Sequence, residues 1–404
     1  MKWEEVRLQD ICLSISDGDH QAPPKVNEGI PFVTISNITE QNVLDFTDTA
    51  FVPLEYYEKL DYKRQPQPND ILYSVVGSFG KAVFVKSNEK FVFQRHIAIL
   101  RPDAKKVNPA FLYYVMSSKW FYKIADTLAL GAAQRTISLT SLRNTKIALP
   151  PLAIQKRIAE ILSRYDDLIE NYQRQISLLE EAAQRLYKEW FVDLHFPGYE
   201  NTPIVDGVPE GWEKNNIGET CETIGGGTPS TKVEAYYEGG HIKWVTPTDI
   251  TRSNCLCLFD TTKKITDLGL KNSSAKMLPA EAILMTSRAS VGFFGIYDCP
   301  VCTNQGFISC IPYNPNLQMY LLYNLMNRVD EIRTKAGGST YLEIRKSVFR
   351  DLDIVIPTNN LLVTFQRQAH KILESTRTIA HQINLLTEAR DRLLPKLMNG
   401  EFEV

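Results

Sequence analysis

The chain says the same thing twice, and a duplication of this length constrains the fold more than any single residue. VTISNIT at 33–39 returns as VTPTDIT at 245–251, and DILYSVVGSFG at 70–80 returns as AILMTSRASVG at 282–292. IALPPLAIQKRIAEIL at 147–162 returns as IVIPTNNLLVTFQRQAHKIL at 354–373. Ile71 matches Ile283, 212 residues on, and Pro150 matches Pro357, 207 on. A period near 210 residues is a whole domain with its appendages, not a solenoid unit. Every element in one half must therefore have a counterpart in the other. Two similar modules in tandem have pseudo-twofold symmetry available, which suits a partner with its own approximate twofold, such as duplex DNA.

Each half divides into a globule and a long helix. The globules, 1–150 and 212–357, carry short β-branched and aromatic runs at 32–35, 82–85 and 91–100, bounded by Gly, Asn and Asp turn residues. A helical pattern follows at 109–125 and again at 317–334. Pro150-Pro151 closes the first globule, because the residue before a proline is pushed out of the α region. Apolar residues then recur at Ile154, Ile158, Ile161, Tyr165, Leu168, Tyr172, Ile176, Leu179, Ala183, Leu186 and Trp190. Their steps alternate four and three, with one extra four between Tyr172 and Leu179, a pattern that reads as a coiled-coil stutter.

The C-terminal seam runs Phe365, Ala369, Ile372, Thr376, Ile379, Ile383, Leu386, Arg390, Leu393 and Leu397, with Thr376 and Arg390 as its polar members. The expected fold is α+β: two pseudo-repeated, β-rich globules with helices, separated by two long helices packed as an antiparallel coiled coil. The expected domains are 1–150, a central spacer helix at 151–195, a Pro/Gly-rich linker at 196–211, 212–357, and a C-terminal spacer helix at 358–404. At about 1.5 Å per residue, such a helix is a rod of roughly 55 Å.

Bulk properties exclude little. The 404 residues suffice for two or more cores, and 44% hydrophobic with 23% charged content is ordinary for a globular protein. No secretory signal or membrane span is read, so a cytoplasmic chain is expected, with its seven cysteines reduced. The net charge of −2 excludes an all-over basic surface but not a basic face.

The search for catalytic chemistry finds none. Gly77-Ser-Phe-Gly-Lys81 lacks the spacing of a phosphate loop, and its repeat at 289–293 loses the lysine. Gly225-Gly226-Gly227 runs into Thr228-Pro229, which cannot open a helix as a dinucleotide fingerprint requires. No Asp/Asn-Pro-Pro-aromatic run of an amino-methyltransferase is present, and the six histidines show no metal spacing. Cys255-x-Cys257 and Cys299-x-x-Cys302 leave a four-cysteine zinc site open, private to the second globule; free cysteines in strands serve equally well as small apolar residues.

One stretch carries a family likeness. GAAQRTISLTSLRNTKIALPPLAIQKRIAEIL at 131–162 has the form G-x-x-Q-x-x-I followed by L-x-x-x-x-I-x-L-P-P-L-x-x-Q, and runs into a helix bearing Leu178-Leu179-Glu180. The chain resembles the specificity (S) subunit of Type I restriction–modification enzymes over essentially its whole length. The second half departs from the pattern, with Thr340 where Gln134 stands and Pro357-Thr358 in place of the proline pair, while INLLTEARDRLLPKLMNGEF at 383–402 is again similar to the family's C-terminal helix. The resemblance implies a non-catalytic subunit with two target-recognition domains, each reading half of a split sequence in double-stranded DNA, and two helices acting as the ruler between them. It implies two modification (methyltransferase) subunits docked on the helices and bringing S-adenosylmethionine, and restriction subunits adding translocation and cleavage with ATP and Mg. No cofactor or metal is expected in this chain itself. A related Type II enzyme with a bipartite site and a coiled-coil adaptor without DNA binding are the competing readings.

Sequence is read by polar and basic side chains at base edges, while phosphate contacts position the protein. The candidate readers in the first globule are Ser78, Lys81, Gln94, Arg95, His96, Gln134 and Arg135. In the second they are Thr228, Ser230, Arg288, Ser290, Asn304 and Gln305. Asn304-Gln305-Gly306 aligns with Gln94-Arg95-His96, so both globules place amide or basic groups at one site. Gln155, Lys156, Arg157, Arg164 and Arg174 on the central helix are candidates for subunit docking.

Overall fold

The computed structural model describes residues 3–18, 23–39, 42–131, 135–253, 255–338 and 341–398. The chain divides into two compact units, Met1–Ile169 with Leu385–Val404, and Glu170–Asn384. Neither long helix belongs to a single unit. The central helix, Leu152–Phe191, begins in the first and ends in the second; the C-terminal helix, Asn359–Met398, does the reverse.

In the first unit an antiparallel sheet runs in the order Cys12–Asp17, Ile97–Pro102, Ile71–Ser74, Ala82–Phe84. Its central run Ile71-Leu72-Tyr73 is fully buried, so it reads as continuously apolar, as strands covered on both faces do. Alternation still decides which core each residue enters. Ile71 and Tyr73 join Ala98 and Leu100 in the cluster packed on the helices, whereas Leu72 joins Val83, Ile97 and Ile99 in a second cluster. Beneath that second cluster a small sheet pairs Ile30–Val33 antiparallel with Ala50–Val52 and parallel with Val92–Phe93. Glu4–Arg7 pairs with Lys146–Leu149 just before the proline pair.

The second unit repeats this plan. Cys221–Gly225, Phe307–Pro312, Ile283–Thr286 and Phe294–Tyr297 follow in the same order, with Cys257–Leu258 added at the edge. Ile242–Val245 pairs antiparallel with Lys263–Ile265 and parallel with Val301–Thr303. Glu213–Asn216 pairs with Asp353–Ile356. The repeated VT motif is a turn rather than a site. Asn37 Oδ1 accepts from Thr34 N at 2.9 Å, and Asp249 Oδ2 accepts from Thr246 N at 2.8 Å, the same capping box in each copy.

The helical stretches expected at 109–125 and 317–334 are each two helices. Pro109–Ser117 gives way to Lys119–Leu128 at Ser118, whose extended backbone breaks the first helix and whose hydroxyl accepts from Phe121 N at 3.0 Å to cap the second. Gln318–Asn327 gives way to Val329–Lys335 at the equivalent point.

The long helices bury a regular seam, and the stutter is absent. Buried positions on the central helix fall at Gln155, Leu162, Ile169, Ile176, Ala183 and Trp190, each seven residues from the last. Leu168 is 37% exposed while Ile169 is 8% exposed. Two adjacent apolar residues make the phase ambiguous in sequence, and the wrong choice creates the spurious extra step. With the phase corrected, the spacing of 211 that links Leu162 to Leu373 continues along the helix, so Ile169 corresponds to Ala380.

Within the first unit the last turns of the C-terminal helix, Leu394 and Leu397, share a core with Ile158 and Leu162 of the central helix. Within the second, Phe365 and Ala369 near the start of the C-terminal helix pack with Ala183, Tyr187 and Trp190 near the end of the central one. Start against end in both units makes the pairing antiparallel. Complete burial of a side chain such as Phe365 contributes roughly 2–3 kcal/mol.

The stretch 196–211 is not bare linker. It holds a 3-10 turn at Tyr199–Asn201 and a hairpin pairing Ile204–Val205 with Val208–Pro209, turned by Asp206-Gly207 with both φ positive. Among the described residues no helix is long and apolar enough to cross a membrane.

Candidate nucleic-acid interface

One junction of three backbone segments recurs in both units. In the first, the strand Ile71–Ser74 continues as residues 75–77, lying between two other segments. Val75 N donates to His96 O at 2.9 Å on one side, and Ile137 N donates to Val75 O at 2.8 Å on the other, with Gly77 N donating to Arg135 O at 3.0 Å. In the second unit Ser287 N donates to Gly306 O at 2.8 Å, Ile344 N donates to Ser287 O at 3.0 Å, and Ala289 N donates to Leu342 O at 2.8 Å. The same backbone frame thus presents different side chains in the two copies.

This frame brings Ser78, Lys81, Gln94, Arg95, His96 and Arg135 to one end of the first unit. Gln94 to His96 form the tight turn from Val92–Phe93 into Ile97–Pro102, closed by Ile97 N donating to Gln94 O at 3.1 Å. Arg95 is exposed at its tip, while Gln94 and His96 are half-buried. Ser78 is exposed in the turn after residue 77, and its carbonyl accepts from Ser74 Oγ at 2.9 Å. Lys81 Nζ donates to Ile38 O at 3.2 Å, tying this turn to the small sheet's loop. The Arg135 guanidinium lies over the Phe79 ring at 5.3 Å and donates to the Asp126 carboxylate at 2.5 Å. Phe79 in turn stacks on Tyr122 with rings 9° from parallel. Gln134 lies outside the described residues.

In the second unit Thr228 Oγ1 donates to Gln305 Oε1, and both residues are exposed with Ser230 beside them. Asn304 spends its Oδ1 on Gly306 N at 2.8 Å, holding the turn rather than projecting from it. Arg288 is 45% exposed in its side chain and lies 3.8 Å from Glu343. Ser290 is exposed, its carbonyl accepting from Thr286 Oγ1. Each junction therefore carries one arginine partly neutralised by a neighbouring carboxylate.

Two glycines hold these turns in place. A Cβ on Gly18 would sit 2.1 Å from Phe93 O, and one on Gly226 would sit 2.0 Å from Asn304 O. Only glycine lets the backbone cross the reading turn this closely. Sequence reasoning passed over both, although a glycine ending an apolar strand is a signal of close backbone approach.

The docking candidates separate. Lys156, Arg157, Arg164 and Arg174 are exposed on the central helix. Gln155 is 1% exposed, and its side chain is used inside the first unit, where Oε1 accepts from Asn108 N at 2.8 Å and Nε2 donates to Pro150 O at 2.7 Å. It has no surface to offer a partner, because the corrected seam turns it inward. The zinc option closes among the described residues. Cys255 and Cys257 face the helices, with Cys257 Sγ donating to Leu373 O, while Cys299 lies against Lys243 Nζ and Cys302 donates to Lys243 O in other clusters. Burial pushes the Cys302 thiol up to about 12, as expected for a small apolar residue rather than a thiolate ligand.

Comparison with known proteins agrees with this geometry. Residues 1–181 and 209–388 each match the Type I restriction modification DNA specificity domain. The chain is 25% identical to the Type I restriction enzyme HindI specificity subunit of Haemophilus influenzae, over 99% of both chains. It is 27% identical to the Type I restriction enzyme MjaIX specificity subunit of Methanocaldococcus jannaschii, over 73% of this chain and 69% of that one. Its fold is similar to that of a Type I restriction–modification S subunit from M. genitalium, with a TM-score of 0.56 at 16% identity, covering 98% of this chain and 96% of that one. With two specificity domains and no catalytic domain among these matches, the chain belongs to the family of Type I restriction–modification DNA specificity subunits.

Proposed function

We propose that each unit reads one half of a bipartite target in double-stranded DNA, using the side chains carried by its three-segment junction. The observation that supports this most directly is the identity of the two frames combined with the difference in what they expose. Arg95 and the Gln94 amide suit guanine and adenine edges, respectively; Gln305, Thr228 and Arg288 offer a different set. The 40-residue helices set the gap between half-sites and carry docking surface for two modification subunits through Lys156, Arg157, Arg164 and Arg174. S-adenosylmethionine, ATP and Mg belong to partner subunits, and the restriction subunits join through the same assembly. Sequencing the methylome of a host expressing this chain with its modification subunits tests the reading. A split motif with a fixed gap supports it, and an unbroken motif or no methylation refutes it.

A further inference from the structure

The repeat holds a second pair of equivalent loops, which none of the candidate readers occupies. In the first unit the short turn Tyr62–Arg64 packs on the end of the strand Cys12–Asp17, with Ser16 Oγ donating to Lys63 O at 2.9 Å and Arg64 lying 3.8 Å from Asp17. In the second unit residues 273–276 occupy the corresponding place. A Cβ on Gly227 would fall 2.3 Å from both Ala275 N and Ser274 Oγ, so this loop touches the segment that leaves the strand Cys221–Gly225. That segment is the one whose glycine, Gly18 or Gly226, crosses the reading turn. The loop is therefore one backbone width from the reading turn in each copy.

The two loops share almost no sequence, yet each exposes a lysine, Lys63 in one and Lys276 in the other. Neither ammonium forms an ion pair among the described residues. The nearby charges are Asp61, whose carboxylate is engaged with Lys63 N at 2.9 Å, and the Arg64–Asp17 pair. An exposed, unneutralised point charge beside a base-reading turn is suited to a phosphate, not to a base edge.

We propose that Lys63 and Lys276 are phosphate clamps, one in each unit, that set the duplex against the reading turns without contributing to the sequence read. This rests on the DNA-reading proposal above. The test uses the full chain assembled with its modification subunits and two duplexes of equal length, one carrying the motif mapped by methylome sequencing and one of random sequence. Affinity is measured against salt concentration for the native complex, K63Q and K276Q. Each phosphate contact contributes a slope of about 0.9 in log affinity against log salt. Each variant is expected to lower the slope by about that amount on both duplexes, while the methylated sequence stays the same. Unchanged slopes in both variants, or a changed motif, overturn the clamp assignment and leave the reading turns standing. A native complex that binds neither duplex and methylates no motif overturns the DNA-reading proposal and this inference together.

Discussion

Arg390 of the C-terminal helix donates to Asp166 Oδ1 of the central helix at 2.6 Å, and Asp166 Oδ2 accepts the Tyr114 hydroxyl at 2.6 Å. One carboxylate thereby joins both long helices to the helix that backs the first unit's sheet. Arg390 stands at a seam position, where an apolar residue is the usual choice. Burial pushes its pKa down, but the hydrogen bond and charge of Asp166 outweigh that and hold it above the ordinary value.

Removing either partner leaves the other partly buried and unpaired. R390A and D166A are each expected to cost about 2 kcal/mol, with a coupling of about 1 kcal/mol in the double variant. Urea denaturation of the full chain measures this. Strictly additive losses would show that the pair does not tie the helices.

Gln155 and Gln366 perform one task in the two copies. Gln155 Oε1 accepts Asn108 N at 2.8 Å and Gln366 Oε1 accepts Met319 N at 2.9 Å, each at the start of a helix that packs on the long one. Replacing either by leucine leaves a backbone donor unsatisfied and is expected to cost about 1–2 kcal/mol. Equal stability of Q155L and the native chain in thermal melts would contradict the assignment.

Glu281 accepts from Arg377 at 2.8 Å and lies 3.2 Å from His370. Burial pushes its carboxyl up, but the hydrogen bonds from Arg377 and His370 outweigh that and hold it below the ordinary carboxylate range. A depressed pKa contributes stability that is present above the unfolded value, about 4.3, and lost as pH falls through the folded one. E281Q is expected to be less stable than the native chain by about 1 kcal/mol near neutral pH, with the gap closing below about pH 4. A gap that persists in acid would mean that the loss does not come from the charge.

Glu180 behaves in the opposite sense. It accepts from Leu256 N at 2.8 Å, and burial pushes its pKa up despite that bond. A raised carboxyl pKa makes stability fall as pH rises from the unfolded value to the folded one. E180Q keeps an acceptor and removes the buried charge, so it is expected to match or exceed the native stability at about pH 8, whereas E180A loses about 1–3 kcal/mol. Equal losses in the two variants would show that the charge itself is needed.

Much of this was legible in the residues. The duplication, the break at Pro150-Pro151, the two long helices and the correspondence of residues 94–96 with 304–306 all follow from local chemistry and spacing. The seam phase did not, because Leu168 and Ile169 are equally apolar and only packing distinguishes them. That single ambiguity produced both the false stutter and the misplacement of Gln155. The junction was half-legible. Single residues such as Arg135 and Arg288 could be chosen by type, but their carboxylate partners Asp126 and Glu343 are brought in by tertiary structure. Lys63 and Lys276 could not be singled out, because their loops align in space and not in sequence.

The central claim is that the two units read independently. Replacing residues 1–150 with the corresponding globule of another specificity subunit, followed by methylome sequencing, tests it most directly. One half of the methylated motif is expected to change while the other half stays as it was. A motif altered in both halves would contradict the account.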